Sequence, residues 1–168
     1  MITRSHQKCD AASVAVYSDC EKYRYVLTRT WDATGTKVLF IMLNPSTATE
    51  TQNDPTVERC ERRARALGYG AFRVANIFAW RDSEPRRMRA APDPVGPDND
   101  RLIRESCKWA DHIICAWGTH GAYLDRGATV SGIVHSTGRP IFHLGLTKSG
   151  HPRHPLYIAY AQRPQVWV

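Results

Sequence analysis

The hydrophobic residues of the chain fall into short uninterrupted runs between polar stretches. In one of these runs, Val38–Leu43, six apolar residues follow one another. Such a run without polar alternation is typical of a strand buried on both faces inside a parallel sheet. It ends at Asn44 and Pro45, where proline removes a backbone donor and favours an extended conformation for the residue before it. We predict a central strand that leads into a polar loop.

Further strand and helix patterns alternate along the rest of the chain. Apolar runs predict core strands at Phe72–Phe78, Asp111–Ala116 and Ile141–Leu144. Helices are predicted over Pro55–Leu67, with Asp54 as N-cap, and over Asn99–Ala110 and Gly121–Ser136. This alternation predicts an α/β fold: a three-layer α/β/α sandwich with a mainly parallel central sheet, forming one domain over residues 1–168.

The N-terminal part differs from this pattern. Ser13–Tyr17 and Tyr23–Trp31 are short β-rich runs, and the second alternates between apolar and polar residues. They predict a half-exposed hairpin at an edge of the sheet. Residues 1–12 show no periodicity, so we expect an irregular lead-in there.

Composition and charge restrict the classes of function. The 168 residues carry a formal charge of +7, which favours a polyanionic partner such as DNA; the alternative is an arginine-rich solvated surface. No apolar run approaches the roughly 18–20 residues of a membrane span, and no signal-peptide core is present, so we expect a cytoplasmic monomer. The five cysteines form no C-x-x-C pair, which favours reduced thiols and no metal site or cofactor.

Polar residues follow each predicted core strand. In parallel strands the carboxyl ends share one edge, and ligands bind in the crevice beyond it. This edge would carry Asn44–Thr47, Asn76, Trp117–His120 and a loop with His151 and His154. The chain contains no G-x-S-x-G motif and no glycine-rich phosphate loop. We therefore predict a site that recognises a polar planar ligand and positions a water molecule.

Several of these residues have a purely structural alternative. Asn44 could begin a turn, Asn76 could make a structural hydrogen bond, and Trp117 could serve packing. One of the two histidines, His151 or His154, could be an ordinary loop residue. The arginines of the first predicted helix could simply form a solvated face.

Four motifs, in one order over about residues 36–158, resemble those of the uracil-DNA glycosylase superfamily. The first is a strand followed by asparagine and proline, which the mismatch-specific branch has as G-x-N-P-G/S and this chain as Met42–Ser46. The others are an asparagine-bearing strand at Val74–Ile77, a W-G-S-x-A-type segment at Ala116–Gly121 and an H-P-S-type loop at His154–Leu156. The runs L-N-P-S-T-A, D-P-T, A-W-G and P-R-H-P-L-Y also look like a bacterial and phage family of domains of unknown function.

The resemblance implies a fold and an activity. The fold would be that of the uracil-DNA glycosylases, and the activity would be release of a modified or mismatched base from DNA by N-glycosidic bond hydrolysis. Asn44 would orient the attacking water, Asn76 would read the edge of the base, and His154 would hydrogen-bond a base carbonyl. The alternative is a nucleic-acid or nucleotide-binding protein that uses the same pocket without catalysis.

The expected site has three groups of residues. The catalytic pair would be Asn44 and His154. The base would be bound by Pro45, Ser46, Thr47, Asn76, Trp117, Gly118, Thr119, His120 and His151. DNA phosphates would be contacted by Arg86, Arg87, Arg89, Lys148 and Arg153. The chain departs from the superfamily pattern at Leu43, where a small residue is usual, and at Leu156, where serine is usual; it also lacks the iron–sulfur cysteines of one branch.

Overall fold

A computed structural model describes residues 1–168 as a mixed α/β protein with one eight-stranded sheet and four α-helices. The strands are β1 (Ile2–Lys8), β2 (Ala11–Tyr17), β3 (Arg24–Thr30), β4 (Lys37–Met42), β5 (Ala71–Asn76), β6 (His112–Cys115), β7 (Ile141–His143) and β8 (Gln165–Val166). The helices are α1 (Pro55–Ala66), α2 (Pro85–Arg89), α3 (Asn99–Trp109) and α4 (Arg126–Ser136). Two 3₁₀ helices cover Thr119–Asp125 and Pro155–Tyr157.

The sheet has the strand order β1-β2-β3-β5-β4-β6-β7-β8. The three pairings β5-β4, β4-β6 and β6-β7 are parallel, and the other four are antiparallel. The prediction of a mainly parallel sheet is therefore right only for the four central strands. The outer strands β1 and β2 are linked to their neighbours by short turns, and a short turn can join only antiparallel strands.

Strand β4 is the centre of the sheet and is buried on both faces, as its apolar run predicts. Phe40 and Val57 of α1 belong to one hydrophobic cluster. Ile41 belongs to a second cluster, together with Ile103 of α3 and Val134 of α4. Successive residues of a strand point to opposite faces, so helices pack on both sides of the sheet. None of the helices has the length and hydrophobicity of a membrane-spanning segment.

The N-terminus corrects two predictions. Residues 1–12 are not an irregular lead-in, because Ile2–Lys8 pairs with β2 along its whole length and forms an edge of the sheet. The hairpin of β2 and β3 therefore lies inside the sheet, and β3 is buried on both faces instead of half-exposed. The polar, exposed sequence of β1 gives no hydrophobic signal, since an edge strand can be held mainly by its backbone hydrogen bonds.

Helix α1 begins as predicted but uses its arginines differently. The Asp54 side chain accepts a hydrogen bond from the Val57 amide at 2.9 Å, and Pro55 occupies the first turn. Arg63 is only 2% exposed. Its guanidinium donates to the carbonyls of Ile158, Ala159 and Gln162 at 2.9–3.2 Å. The prediction of a solvated arginine face is wrong for this residue, because the C-terminal segment folds back over it.

A pair of buried arginines on β3 holds the loop that follows β4. Arg29 is fully buried and donates to Ser13, to the carbonyls of Thr49 and Gln52, and to the Asn53 side chain. Arg24 donates to the carbonyl of Ala48 at 2.9 Å. The loop carbonyls have no strand partner, so these guanidinium groups supply hydrogen bonds that buried backbone needs.

Removal of the Arg63 guanidinium tests the importance of these contacts. Arg63→Met leaves several carbonyls of the C-terminal segment without a donor, and we expect it to lower the free energy of unfolding by about 2–4 kcal/mol in urea titration. The exposed Arg62 on the same helix makes only an i,i+4 ion pair with Glu58. The matched control Arg62→Met should cost less than about 1 kcal/mol. Equal small losses in both variants would contradict an anchoring role for Arg63.

Candidate functional site

A cavity of about 580 Å³ lies beyond the carboxyl end of β4. Pockets of this size accommodate a ligand such as a nucleobase or nucleoside. Strands β4 and β5 run in parallel with Met42 opposite Asn76, so the residues that follow them reach the same edge. The predicted site residues that line the cavity are Asn44, Ser46, Trp117, Gly118, Thr119, His120, Arg153 and His154.

A smaller inner pocket of about 30 Å³ lies against the cavity and shares Asn44, Ser46 and His154 with it. Asn76 lines only this inner pocket. It is 1% exposed, and neither its amide nitrogen nor its amide oxygen has a hydrogen-bond partner. Buried polar groups are nearly always paired, so a buried amide with both atoms free marks a place where a water or ligand completes the structure. The Asn76 side chain therefore makes no hydrogen bond within the chain.

The Asn44 side chain is held in one orientation. Its amide nitrogen donates to the carbonyl of Asp82 at 2.8 Å and to that of Pro45 at 3.2 Å. Both N–H groups are used in this way, which leaves the amide oxygen as a free acceptor. The residue can therefore accept a hydrogen bond from a water molecule in the cavity.

His154 is a neutral hydrogen-bond donor. Burial lowers the pKa of its imidazole to about 4, so the ring is uncharged at neutral pH. Its Nδ1 accepts a hydrogen bond from the Leu156 amide at 3.4 Å. The proton of the neutral ring therefore resides on Nε2, which can donate to an acceptor.

The segment after β6 supports the His154 loop through its backbone. The amide of Gly118 donates to the carbonyl of Pro152 at 2.7 Å. Gly118 has φ of 74°, a left-handed conformation that a residue without a side chain adopts readily. Trp117 is 2% exposed and packs so closely on Gly121 that a Cβ there would lie 2.2 Å from the indole ring. The main role of Trp117 is packing, with one part of its surface on the cavity.

Other predicted base-binding residues lie outside the cavity. Pro45 is buried, and Thr47 is exposed without lining it. His151 lines a separate pocket of about 200 Å³ beside Trp167. Of the two histidines, His154 is the one at the cavity.

The predicted phosphate-contacting residues are in different situations. Arg153 lines the cavity, and Arg86 and Lys148 are exposed. None of these three forms an ion pair within the chain. Arg87 is paired with Asp82 at 3.0 Å, and Arg89 lies over the Tyr123 ring at 5.7 Å. Four of the five cations, all except Arg87, therefore form no ion pair within the chain.

Several residues at the site have no signal in the sequence pattern. Asp54 is predicted as a helix cap, yet it also lines both pockets. Asp82 enters the cavity from the long irregular segment before α2, and Tyr157, 90% exposed, lies on its wall. Arg24 reaches the inner pocket from β3. These residues come together only through long-range contacts, so the fold itself is needed to find them.

The chain is thus a mixed α/β protein with a polar cavity at the carboxyl ends of parallel strands. It belongs to the family described as Protein of unknown function (DUF1643), whose model matches residues 24–156. A comparison with curated proteins finds no match.

One match among solved structures is the hetero-hexameric glutamate dehydrogenase from Thermus thermophilus in its leucine-bound form. The two share 16% sequence identity, with a TM-score of 0.34. The alignment covers 82% of this chain and 31% of the dehydrogenase chain, so this chain spans less than a third of that protein. A TM-score this low carries no conclusion about fold or function.

The lowered pKa of His154 predicts a change of stability with pH. The folded ring stays neutral down to about pH 4, whereas the unfolded ring takes up a proton below about 6.5. Stability is therefore lost as the pH falls through this window, by at most about 3 kcal/mol. His154→Gln removes the imidazole, so the stability of wild type relative to this variant should decline between pH 7 and 4 in urea titrations.

The exposed residue His6 offers a control for the loss of an imidazole elsewhere in the chain, through His6→Gln. Parallel stability curves for wild type and His154→Gln across this pH range would contradict a neutral, partly buried His154.

Proposed function

We propose that this protein is a DNA glycosylase-like hydrolase that releases a base from DNA by cleaving its N-glycosidic bond. The observation that carries the proposal is the buried amide of Asn76, unpaired at both atoms, in an inner pocket that also includes Asn44 and His154. An amide with one free donor and one free acceptor matches the edge of a pyrimidine, which offers an acceptor and a donor side by side. The adjoining 580 Å³ cavity has room for the base and its sugar.

The fold is compatible with this class of enzyme. Four central parallel strands have helices packed on both faces, and the cavity lies beyond the carboxyl ends of these strands. Ligands of open α/β sheets bind at this position. We propose that the architecture is a three-layer sandwich of the uracil-DNA glycosylase type, extended by antiparallel strands at both edges.

The chemistry would use preorganised polar groups without a strong base. The free oxygen of Asn44 accepts a hydrogen bond from a water molecule and orients it toward the C1′ carbon of the sugar. Water oxygen bonds to C1′ and releases a proton to solvent, while the C1′–N bond breaks and its electron pair moves to the base, which takes a proton from solvent. His154 donates from Nε2 to a carbonyl oxygen of the base as negative charge develops there.

The DNA would be held by the cations around the cavity. Arg153, Arg86 and Lys148 are exposed, without ion pairs, and suit phosphate contacts. A base within a duplex must be flipped out of the stack at a cost of a few kcal/mol, and phosphate contacts would offset this cost. Affinity that arises in this way falls steeply with salt concentration.

A second candidate function is recognition of a base or nucleotide without hydrolysis. It is favoured by the carboxylates of the cavity, because both are already engaged. Asp54 accepts from the amides of Val57 and Ala48, and Asp82 accepts from the amide of Glu84 and from Arg87. The hydrogen bond from the Glu84 amide and the contact with Arg87 lower the pKa of Asp82, which makes this carboxylate a weaker general base. Asn44, a neutral amide, would then be the acceptor that contacts the water. A site of this kind could bind a base without releasing it.

Asn44→Ala separates the two functions. Purified protein should convert some uracil-, mismatch- or modified-base DNA into alkali-labile abasic sites, and the variant should lose at least about 100-fold in rate. Strand cleavage after alkali treatment measures the reaction. Gln52→Ala, an exposed residue of the same loop whose side chain makes no hydrogen bond, is the matched control and should keep full activity.

Two other results would decide against hydrolysis. Intact strands over a broad substrate panel, together with salt-dependent DNA binding that survives Asn44→Ala, would establish recognition alone. Thermal stabilisation by free nucleosides but not by oligonucleotides would point to a small-molecule pocket.

A further inference from the structure

The inner pocket contains a buried positive charge that the proposed chemistry does not yet use. Arg24, the first residue of β3, is 1% exposed and lines this pocket beside Asn76. One of its terminal nitrogens donates to the carbonyl of Ala48 at 2.9 Å. Its Nε is buried without any partner. A guanidinium has five N–H donors, so most of the hydrogen-bonding capacity of Arg24 is unused.

The two other fully buried arginines are used differently. Arg29 donates to four acceptors, and Arg63 donates to three backbone carbonyls. The Nε of each is buried without a partner, as in Arg24, so the difference from Arg24 lies in the contacts of the terminal nitrogens. Arg24 is buried as deeply as these two and has a single acceptor.

The charge of Arg24 also has no direct counter-ion. None of the ion pairs of the chain includes it, so no carboxylate oxygen lies within 4.0 Å of its nitrogens. Asp54 is a nearby negative group that favours the charged form, but its own oxygens accept from backbone amides. Burial lowers the pKa of Arg24 to about 10, and the group stays charged at neutral pH. A buried charge without a partner is costly, which indicates that a bound group normally completes the site.

We propose that Arg24 is a specificity-determining residue that selects a heterocyclic base whose inner edge carries, or develops, a negative charge. The inference rests on the proposed function, since it takes the ligand of the cavity to be a base. Asn76 would read the donor–acceptor pattern of that edge, and Arg24 would stabilise the anion of an acidic N–H heterocycle. In base release the same charge would stabilise the electron pair that moves onto the departing base. Attraction of an anion by a fixed charge is strong at a site shielded from water.

The test compares two nearly isosteric free bases, uracil and 6-azauracil. At mildly alkaline pH 6-azauracil is largely an anion, whereas uracil keeps its proton. Binding of each to the full chain is measured by calorimetry. Wild type should bind 6-azauracil at least about tenfold more tightly than uracil. Arg24→Gln, which keeps a donor but removes the charge, should bind the two bases with equal affinity. Arg24→Lys, which keeps the charge, should retain the preference.

Each outcome supports or overturns the inference. A structural role for Arg24 alone predicts that Arg24→Gln weakens both ligands by the same factor and keeps the preference, which would overturn it. Equal affinity of the wild-type protein for both bases would also overturn the inference. This measurement does not depend on whether any variant folds. In these two cases uracil binding would leave the proposed base pocket intact. If wild type bound neither base, the base pocket itself would be wrong, and the proposed function would fail with it.

Discussion

The pocket of this protein depends on hydrogen bonds from buried side chains to backbone carbonyls of its loops. Loops that leave a sheet have carbonyls with no ladder partner, and burying them unpaired is costly. Here arginines supply the donors: Arg29 holds the loop after β4, and Arg63 holds the C-terminal segment. Arg126 donates twice to the carbonyl of Ile77, which follows β5. A guanidinium suits this task because one planar group reaches several acceptors at once.

These hydrogen bonds fix the backbone around the pocket and leave some polar side-chain atoms free to contact a ligand. Asn99 donates to the carbonyls of Asn76 and Ile77 at 2.9 and 3.2 Å, so the backbone end of β5 is held firmly. The amide side chain of Asn76 remains free. Asn44 is likewise held through its nitrogen and keeps its oxygen available. A site that is ordered before the ligand arrives loses less entropy on binding, and its fixed dipoles can stabilise developing charge.

The features that the sequence predicts are those with local causes. The apolar run of β4 and the Asp54–Pro55 start of α1 depend on burial and capping, which leave a readable pattern. Strand β1 is exposed and polar, so it leaves none. The arginine contacts are invisible for another reason: their acceptors are backbone carbonyls, which every residue has, at separations of 24 residues for Arg24 and up to 99 for Arg63. The choice of His154 over His151 likewise depends on how one loop folds back on Gly118.

These contacts change what the net charge of +7 means. Arg24, Arg29, Arg63 and Arg126 are buried, and three of them are occupied by internal acceptors. A basic composition that serves the interior is weak support for a polyanionic partner. The stronger argument is local, because exposed cations without ion pairs remain at or near the cavity while its carboxylates are engaged.

The exception among the buried arginines then matters most. Arg24 has the burial of an architectural residue but only one acceptor, the carbonyl of Ala48, and it lies beside the other unpaired buried group of the inner pocket. Arg24 and Asn76 both have hydrogen-bonding atoms without partners in the inner pocket. A single bound ligand would supply partners to both residues, whereas separate structural roles would leave these atoms unexplained.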